Sequence, residues 1–180
     1  EQNISDLSVG IYSLSITDNN GCQTASSVEV NQPEELVVSS INVSDYNGYN
    51  VSCNGGSDGE IDITVSGGTG NYEYIWSGPD GFSSTDQNLS YLSVGIYSLF
   101  INDDNGCQIT LSVEIIEPEE MVISSINVSD YNGYGVSCNG SFDGSINVTV
   151  SGGTGNYEYS WLGPDGFSST DQNLSYLSVG

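Results

Sequence analysis

The chain repeats itself. At an offset of 85, positions 1–95 and 86–180 share 73 identical residues out of 95 and need no gap. The stretch SVGIYSLSITDNNGCQ from Ser8 returns as SVGIYSLFINDDNGCQ from Ser93, and Cys22 and Cys53 return as Cys107 and Cys138. A period of 85 is too long for a β-helix or leucine-rich coil and suits a whole domain in tandem. Pro33–Glu35 and Pro118–Glu120 mark the joints, because a strand pattern stops and restarts at each. On that phasing, 1–32 is the C-terminal part of one module, 33–117 a complete module, and 118–180 the N-terminal part of the next. Since 180 = 2 × 85 + 10, the expectation is a piece of a much longer array.

Apolar residues in 33–117 alternate with period two and never with a helical period. Leu36, Val38, Ile41 and Val43 mark a first, irregular strand, and Ile61, Ile63 and Val65 a second. Tyr72, Tyr74 and Trp76 share a face of a third, between Gly-Gly-Thr-Gly-Asn and Gly-Pro-Asp-Gly. Tyr97, Leu99 and Ile101 precede the turn Asp104-Asn105-Gly106, which feeds Ile109, Leu111, Val113 and Ile115. Asn-Gly between alternating runs is a strong hairpin signal. The polar stretch Ser83–Tyr91 supplies short edge strands. A central Trp76 and the Leu92-x-x-Gly95-x-Tyr97 spacing, repeated at Leu7, Gly10 and Tyr12, narrow this to an immunoglobulin-like sandwich. Such a Tyr hydroxyl bonds back to nearby backbone in a tyrosine corner. The expected fold is all-β, in tandem immunoglobulin-like or PKD-like β-sandwich modules.

Charge removes whole classes of function. The chain has 24 Asp plus Glu and no Lys, Arg or His, a formal charge of −24. There is no imidazole for a Ser-His-Asp or Cys-His site and no amine for a Schiff base. There is no cation to neutralise a phosphate backbone or an anionic lipid surface, so nucleic acid and membrane are excluded as partners. No apolar run approaches the ~18 residues of a membrane span. Aromatics at 10% are too many for a solvating acidic tail. The expectation is a folded chain that is not an enzyme.

The stretch Val51-Ser52-Cys53-Asn54-Gly55-Gly56-Ser57-Asp58-Gly59, followed by Ile61 to Gly70, resembles the SprB repeat. Tyr72 to Trp76, Leu92 to Tyr97 and Asp104-Asn105-Gly106-Cys107 continue the pattern, and Val136 to Gly144, Ile146 to Gly155 and Tyr157 to Trp161 form its second copy. Phe142, where a small residue is usual, and the lack of basic residues depart from it. The resemblance implies a very long adhesin on the surface of gliding bacteria of the Bacteroidota type. It further implies export by the type 9 secretion system and transport by the gliding machinery. It brings no catalytic residues.

Three kinds of candidate site remain. One disulfide per module, Cys53 with Cys107, is the natural reading for a secreted strand-rich module. An odd number of strand crossings separates that pair, so bridges between neighbouring modules (Cys22–Cys53 included) and free buried thiols stay open. Zinc is disfavoured without Cys-x-x-Cys or His. No cofactor is required. Calcium is the one candidate ion, on Glu34 and Glu35 at the joint with Asp103, Asp104 and Asn105 in the hairpin turn. Asp58 with Glu60 is a weaker pair, because Glu60 becomes Ser145 in the next copy. Tyr46 and Tyr49, repeated as Tyr131 and Tyr134, either stack on a surface polysaccharide or seal the joint against the next module, and sealing is favoured.

The expected function is a repetitive stalk of an extracellular, cell-surface filament whose nearest partners are its own neighbouring modules. The alternative is a glycan-binding module, alone or appended to a polysaccharide-active enzyme. A carboxylate-pair glycosidase is the weakest reading, since nothing sets two acids across a cleft.

Overall fold

In a computed structural model of the chain, residues 4–178 are described. The N-terminal hairpin pairs β1 (Gly10–Thr17) with β2 (Gln23–Val30). Next come β3 (Val37–Val43), β4 (Gly59–Ser66), β5 (Tyr72–Ser77), β6 (Ser83–Ser84), β7 (Leu89–Leu92), β8 (Gly95–Asp103) and β9 (Gln108–Ile115). The last stretch holds β10 (Val122–Val128), β11 (Gly144–Ser151), β12 (Trp161–Leu162), β13 (Ser168–Ser169) and β14 (Leu174–Leu177). The fold is all-β, built of small antiparallel sheets.

Residues 37–115 form two of these sheets, in the orders β3-β4-β7 and β6-β5-β8-β9. Inward residues of both sheets meet in one core: Ile61 and Ile63 of β4 and Leu89 and Leu92 of β7, against Trp76, Leu99, Ile101 and Ile115. Trp76 is fully buried, and its indole N–H donates to the Asp86 carbonyl at 3.0 Å. Burying each large ring is worth roughly 2–3 kcal/mol. The Tyr97 hydroxyl reaches back to the Ser93 carbonyl at 3.0 Å, and Tyr12 does the same to Ser8 at 2.7 Å. These are the bonds the Leu-x-x-Gly-x-Tyr spacing predicts.

Local irregularities have local causes. The register of β3 on β4 shifts between Val38 and Ser40, so Ser39 is an extra residue. The bulge returns Ile41 and Val43 to the face of Ile63 and Ile61, which explains a gap of three in the apolar spacing. The hairpin between β8 and β9 turns through Asp104-Asn105-Gly106, with Gly106 N–H bonding the Asp103 carbonyl at 3.0 Å and Gly106 at φ 83°. This is the three-residue hairpin loop that ends in a left-handed residue. The polar 83–91 stretch yields β6 and most of β7, each at the edge of its sheet.

The two hairpins of related sequence differ sharply in burial. Leu99 of β8 is 2% exposed, while its equivalent Leu14 of β1 is 59% exposed. Ile101 is fully buried where Ile16 is 54% exposed. Only β8–β9 has a β3-β4-β7 sheet across from it. Leu99→Ala should therefore cost about 2–5 kcal/mol and Leu14→Ala less than about 1 kcal/mol, both read by urea unfolding on Trp76 fluorescence.

Candidate functional site at the joint after the complete module

The segment between β3 and β4 folds into a compact cap at the end of the module from which the chain leaves. Asn47 and Gly48 both have positive φ, 57° and 92°, giving a tight turn with Tyr46 N–H on the Tyr49 carbonyl at 2.7 Å. The Asp45 carboxylate accepts Gly48 N–H at 2.7 Å. Ser44 Oγ donates to the Asn50 carbonyl at 2.7 Å and accepts Glu60 N–H at 2.9 Å, tying the cap to β4. The Asp58 carboxylate closes the next loop by accepting Ser52 N–H at 3.0 Å. That bond holds the Asp58 carboxyl below its ordinary value, and Ser137 does the same for Asp143 in the second copy.

The cap grips the linker that leads to the following strands. Asn50 makes a pair of bonds to Ile116: its N–H to the Ile116 carbonyl at 2.9 Å, and Ile116 N–H to its Oδ1 at 3.0 Å. Asn54 Nδ2 donates to the Pro118 carbonyl at 3.0 Å, and Gly55 N–H to Glu117 Oε2 at 2.6 Å. Pro118 itself is fully buried. Beyond it, Thr154 Oγ1, in the loop after β11, donates to the Ser52 carbonyl at 3.2 Å. The linker is clamped on one side, and the loop after β11 touches the cap through Thr154.

The opposite end of the module is organised by the Gly67-Gly68-Thr69-Gly70 loop, whose three glycines all have positive φ. Gly68 N–H bonds the Glu34 carbonyl at 2.8 Å, and a Cβ on Gly67 would collide with the Glu35 carbonyl. From the other side, the Asp103 carboxylate accepts Thr69 N–H at 2.8 Å, Thr69 Oγ1 at 3.2 Å, Asn105 N–H at 3.0 Å and Cys107 N–H at 2.8 Å. Asp104 Oδ2 accepts Asn71 N–H at 2.9 Å. Burial raises the Asp103 carboxyl, but the bonds from Cys107, Thr69 and Asn105 outweigh it and leave its pKa below 3.8.

The expected site residues are distributed over these two ends. Glu34 and Glu35 meet the Gly67–Gly70 loop through their backbone carbonyls, and it is Thr69 of that loop that bonds the Asp103 carboxylate. The oxygens of Asp103 and Asp104 are occupied by N–H and O–H donors. Among the described residues, no group of three or more acidic or cysteine side chains is placed to hold a metal ion. Asp58 and Glu60 share the cap, where the Asp58 carboxylate is used by Ser52. Tyr46 and Tyr49 are half-buried in the cap, and the Tyr46 hydroxyl donates to the Asp58 carbonyl at 3.4 Å. Burial first, then Asp58 and Glu60, push the Tyr46 phenol up. Tyr131 and Tyr134 are more open, at 39% and 74% exposed.

Cys53 lies in the cap and Cys107 in the hairpin turn at the far end, separated by the length of β4, about 25 Å at ~3.3 Å per residue. A disulfide needs Cα atoms about 4.4–6.8 Å apart. The expected Cys53–Cys107 bridge is therefore not made in this structure, and Cys22, Cys53, Cys107 and Cys138 are free, exposed thiols. Local desolvation by the turn around it, and then the neighbouring Asp103, push the Cys107 thiol up although the residue as a whole is exposed. Asn50, Asn54 and Thr154, the residues that make the joint, carry no periodicity signal. Only the position of Asn54 inside the Cys-Asn-Gly motif pointed towards them.

The SprB repeat family model matches residues 49–81 and 136–166. The SprB repeat is thus matched at two places in the chain. The first match starts at Tyr49, takes in the cap, β4, the Gly67–Gly70 loop and β5, and stops just before β6. It thus spans both ends of the module. No curated protein matches the chain. The SprB repeat points to a repeat region of a gliding-motility-type cell-surface protein. No helix among the described residues is long and apolar enough to cross a membrane.

The depressed carboxyls of Asp58, Asp103 and Asp143 set a sign for pH dependence. Their unfolded forms bind protons more readily, so their stabilisation is complete above their ordinary value of 3.8 and is lost as pH falls through the lower folded values. Melting temperature should drop steeply below about pH 4. Asp103→Asn should melt lower at pH 7 and show a shallower acid slope, as followed by circular dichroism.

Proposed function

We propose that the chain is a stalk segment of a long extracellular adhesin, in which tandem sandwiches are joined end to end. Its role is mechanical reach rather than catalysis. The observation that carries this reading is the clamp on Ile116–Pro118, which turns what could be a loose linker into a defined joint. The strand orders β3-β4-β7 and β6-β5-β8-β9, with a buried Trp and a tyrosine corner, support an immunoglobulin-like sandwich as the unit. The half-burial of Tyr46 and Tyr49 within the cap favours sealing over glycan stacking.

The complete module carries 13 acids over residues 33–117, from Glu34 to Glu117, and no base. That single-sign surface keeps neighbouring stalks apart and soluble. Gliding and secretion machinery are the proposed partners at the scale of the whole adhesin.

Electron microscopy of the native protein tests the stalk directly. A beaded filament repeating every ~35–45 Å, one sandwich per bead, is the expected image. Compact particles of one or two modules would overturn it. In solution, the double variant Asn50→Ala and Asn54→Ala should leave each module folded but broaden the distance distribution across the joint in small-angle scattering.

A further inference from the structure

The two cysteines of a module sit at opposite ends, and the joint brings one end of a module against the other end of its neighbour. Cys53 follows Ser52, whose carbonyl accepts Thr154 Oγ1 from the strands beyond the joint. Thr154 is the repeat equivalent of Thr69, since 154 − 69 = 85. Within the complete module, Thr69 N–H and Cys107 N–H share the Asp103 carboxylate, at 2.8 Å each. The position beside Thr154 is therefore where the hairpin cysteine of that following module belongs. We propose that the loop cysteine of each module forms a disulfide with the hairpin cysteine of the module after it, stapling the joint.

This rests on the tandem-stalk reading. It accounts for the four free thiols: Cys22 and Cys107 look back to a preceding module, Cys53 and Cys138 look forward, and no two of them face each other here. The clamp lowers what a bridge at this joint has to order. Asn50, Asn54 and Gly55 fix the linker, and Thr154 fixes the neighbour, so the closure does not have to be made across a floppy loop.

The chemistry is thiol–disulfide exchange with an external disulfide such as glutathione disulfide. The Cys53 thiolate attacks one glutathione sulfur and releases a glutathione thiolate. The hairpin thiolate then attacks the Cys53 sulfur of the mixed disulfide and releases the second. Two protein thiols are oxidised, their two protons end on the two released glutathione thiolates, and one external disulfide is thereby reduced to two thiols.

The chain can be extended in phase by a second copy of its own residues 96–117, because Gly180 corresponds to Gly95. With Cys22→Ser, Cys107→Ser and Cys138→Ser, only Cys53 and the appended hairpin cysteine remain. Oxidation with glutathione disulfide should yield a monomer with no titratable thiol and one intramolecular bridge, mapped by Glu-specific digestion. A matched chain that keeps Cys107 but carries Ser at the appended site should retain both thiols. Free thiols, or intermolecular dimers alone, in the first chain would overturn the proposal, as would a Cys53–Cys107 bridge in the second. Trp76 fluorescence confirms folding in both. A beaded filament with free thiols would sink the staple and leave the stalk standing, whereas compact particles would sink the stalk itself.

Discussion

Everything in the complete module depends on one face of the β8–β9 hairpin being covered by β3, β4 and β7. The related β1–β2 hairpin has no such sheet across it among the described residues. Backbone pairing is the same in both, with β1 matched to β2 over eight positions and β8 to β9 over eight. What separates them is the burial of Leu99, Ile101 and Ile115. Hydrogen bonding shapes a hairpin, but the stability of a module comes from closing two sheets over a shared apolar layer.

A chain without a single cation must satisfy its ordered carboxylates in another way. Here they accept backbone N–H groups: Asp18 takes Asn20 and Cys22, Asp45 takes Gly48, Asp58 takes Ser52, and Asp103 takes Thr69, Asn105 and Cys107. Each such acid organises a turn. Asp103 illustrates the pattern best, since one carboxylate fastens the hairpin turn to the glycine-rich loop 34 residues earlier. The acidity that looks like a surface property is, at these positions, an internal scaffold.

Local signals were legible in the sequence, and contacts between distant segments were not. Leu-x-x-Gly-x-Tyr fixed the Tyr97 hydroxyl on Ser93, and a gap in apolar spacing marked the bulge at Ser39. Asn-Gly turns were visible because few other residues tolerate positive φ. The oxygens of Asp103, Asp104 and Asn105 drew a calcium reading because composition alone does not separate an acceptor for N–H groups from one for a cation. The Asn50–Ile116 pair spans 66 residues and has no periodic trace. Counting strand crossings between Cys53 and Cys107 did carry information, since parity decides which end of a sandwich a residue occupies.

The clamp at Pro118 and the anchor at Glu34 lie at opposite ends of the module, and the chain enters along β3 and leaves along β9. A pulling force on such a rod runs parallel to the strands. It slides β3 lengthwise past β4 and β9 past β8, so the rungs of each ladder share the load and must yield together. A hairpin pulled from its open end would give way one bond at a time. The path of the chain through the fold thus suits each module of the proposed stalk to bear tension.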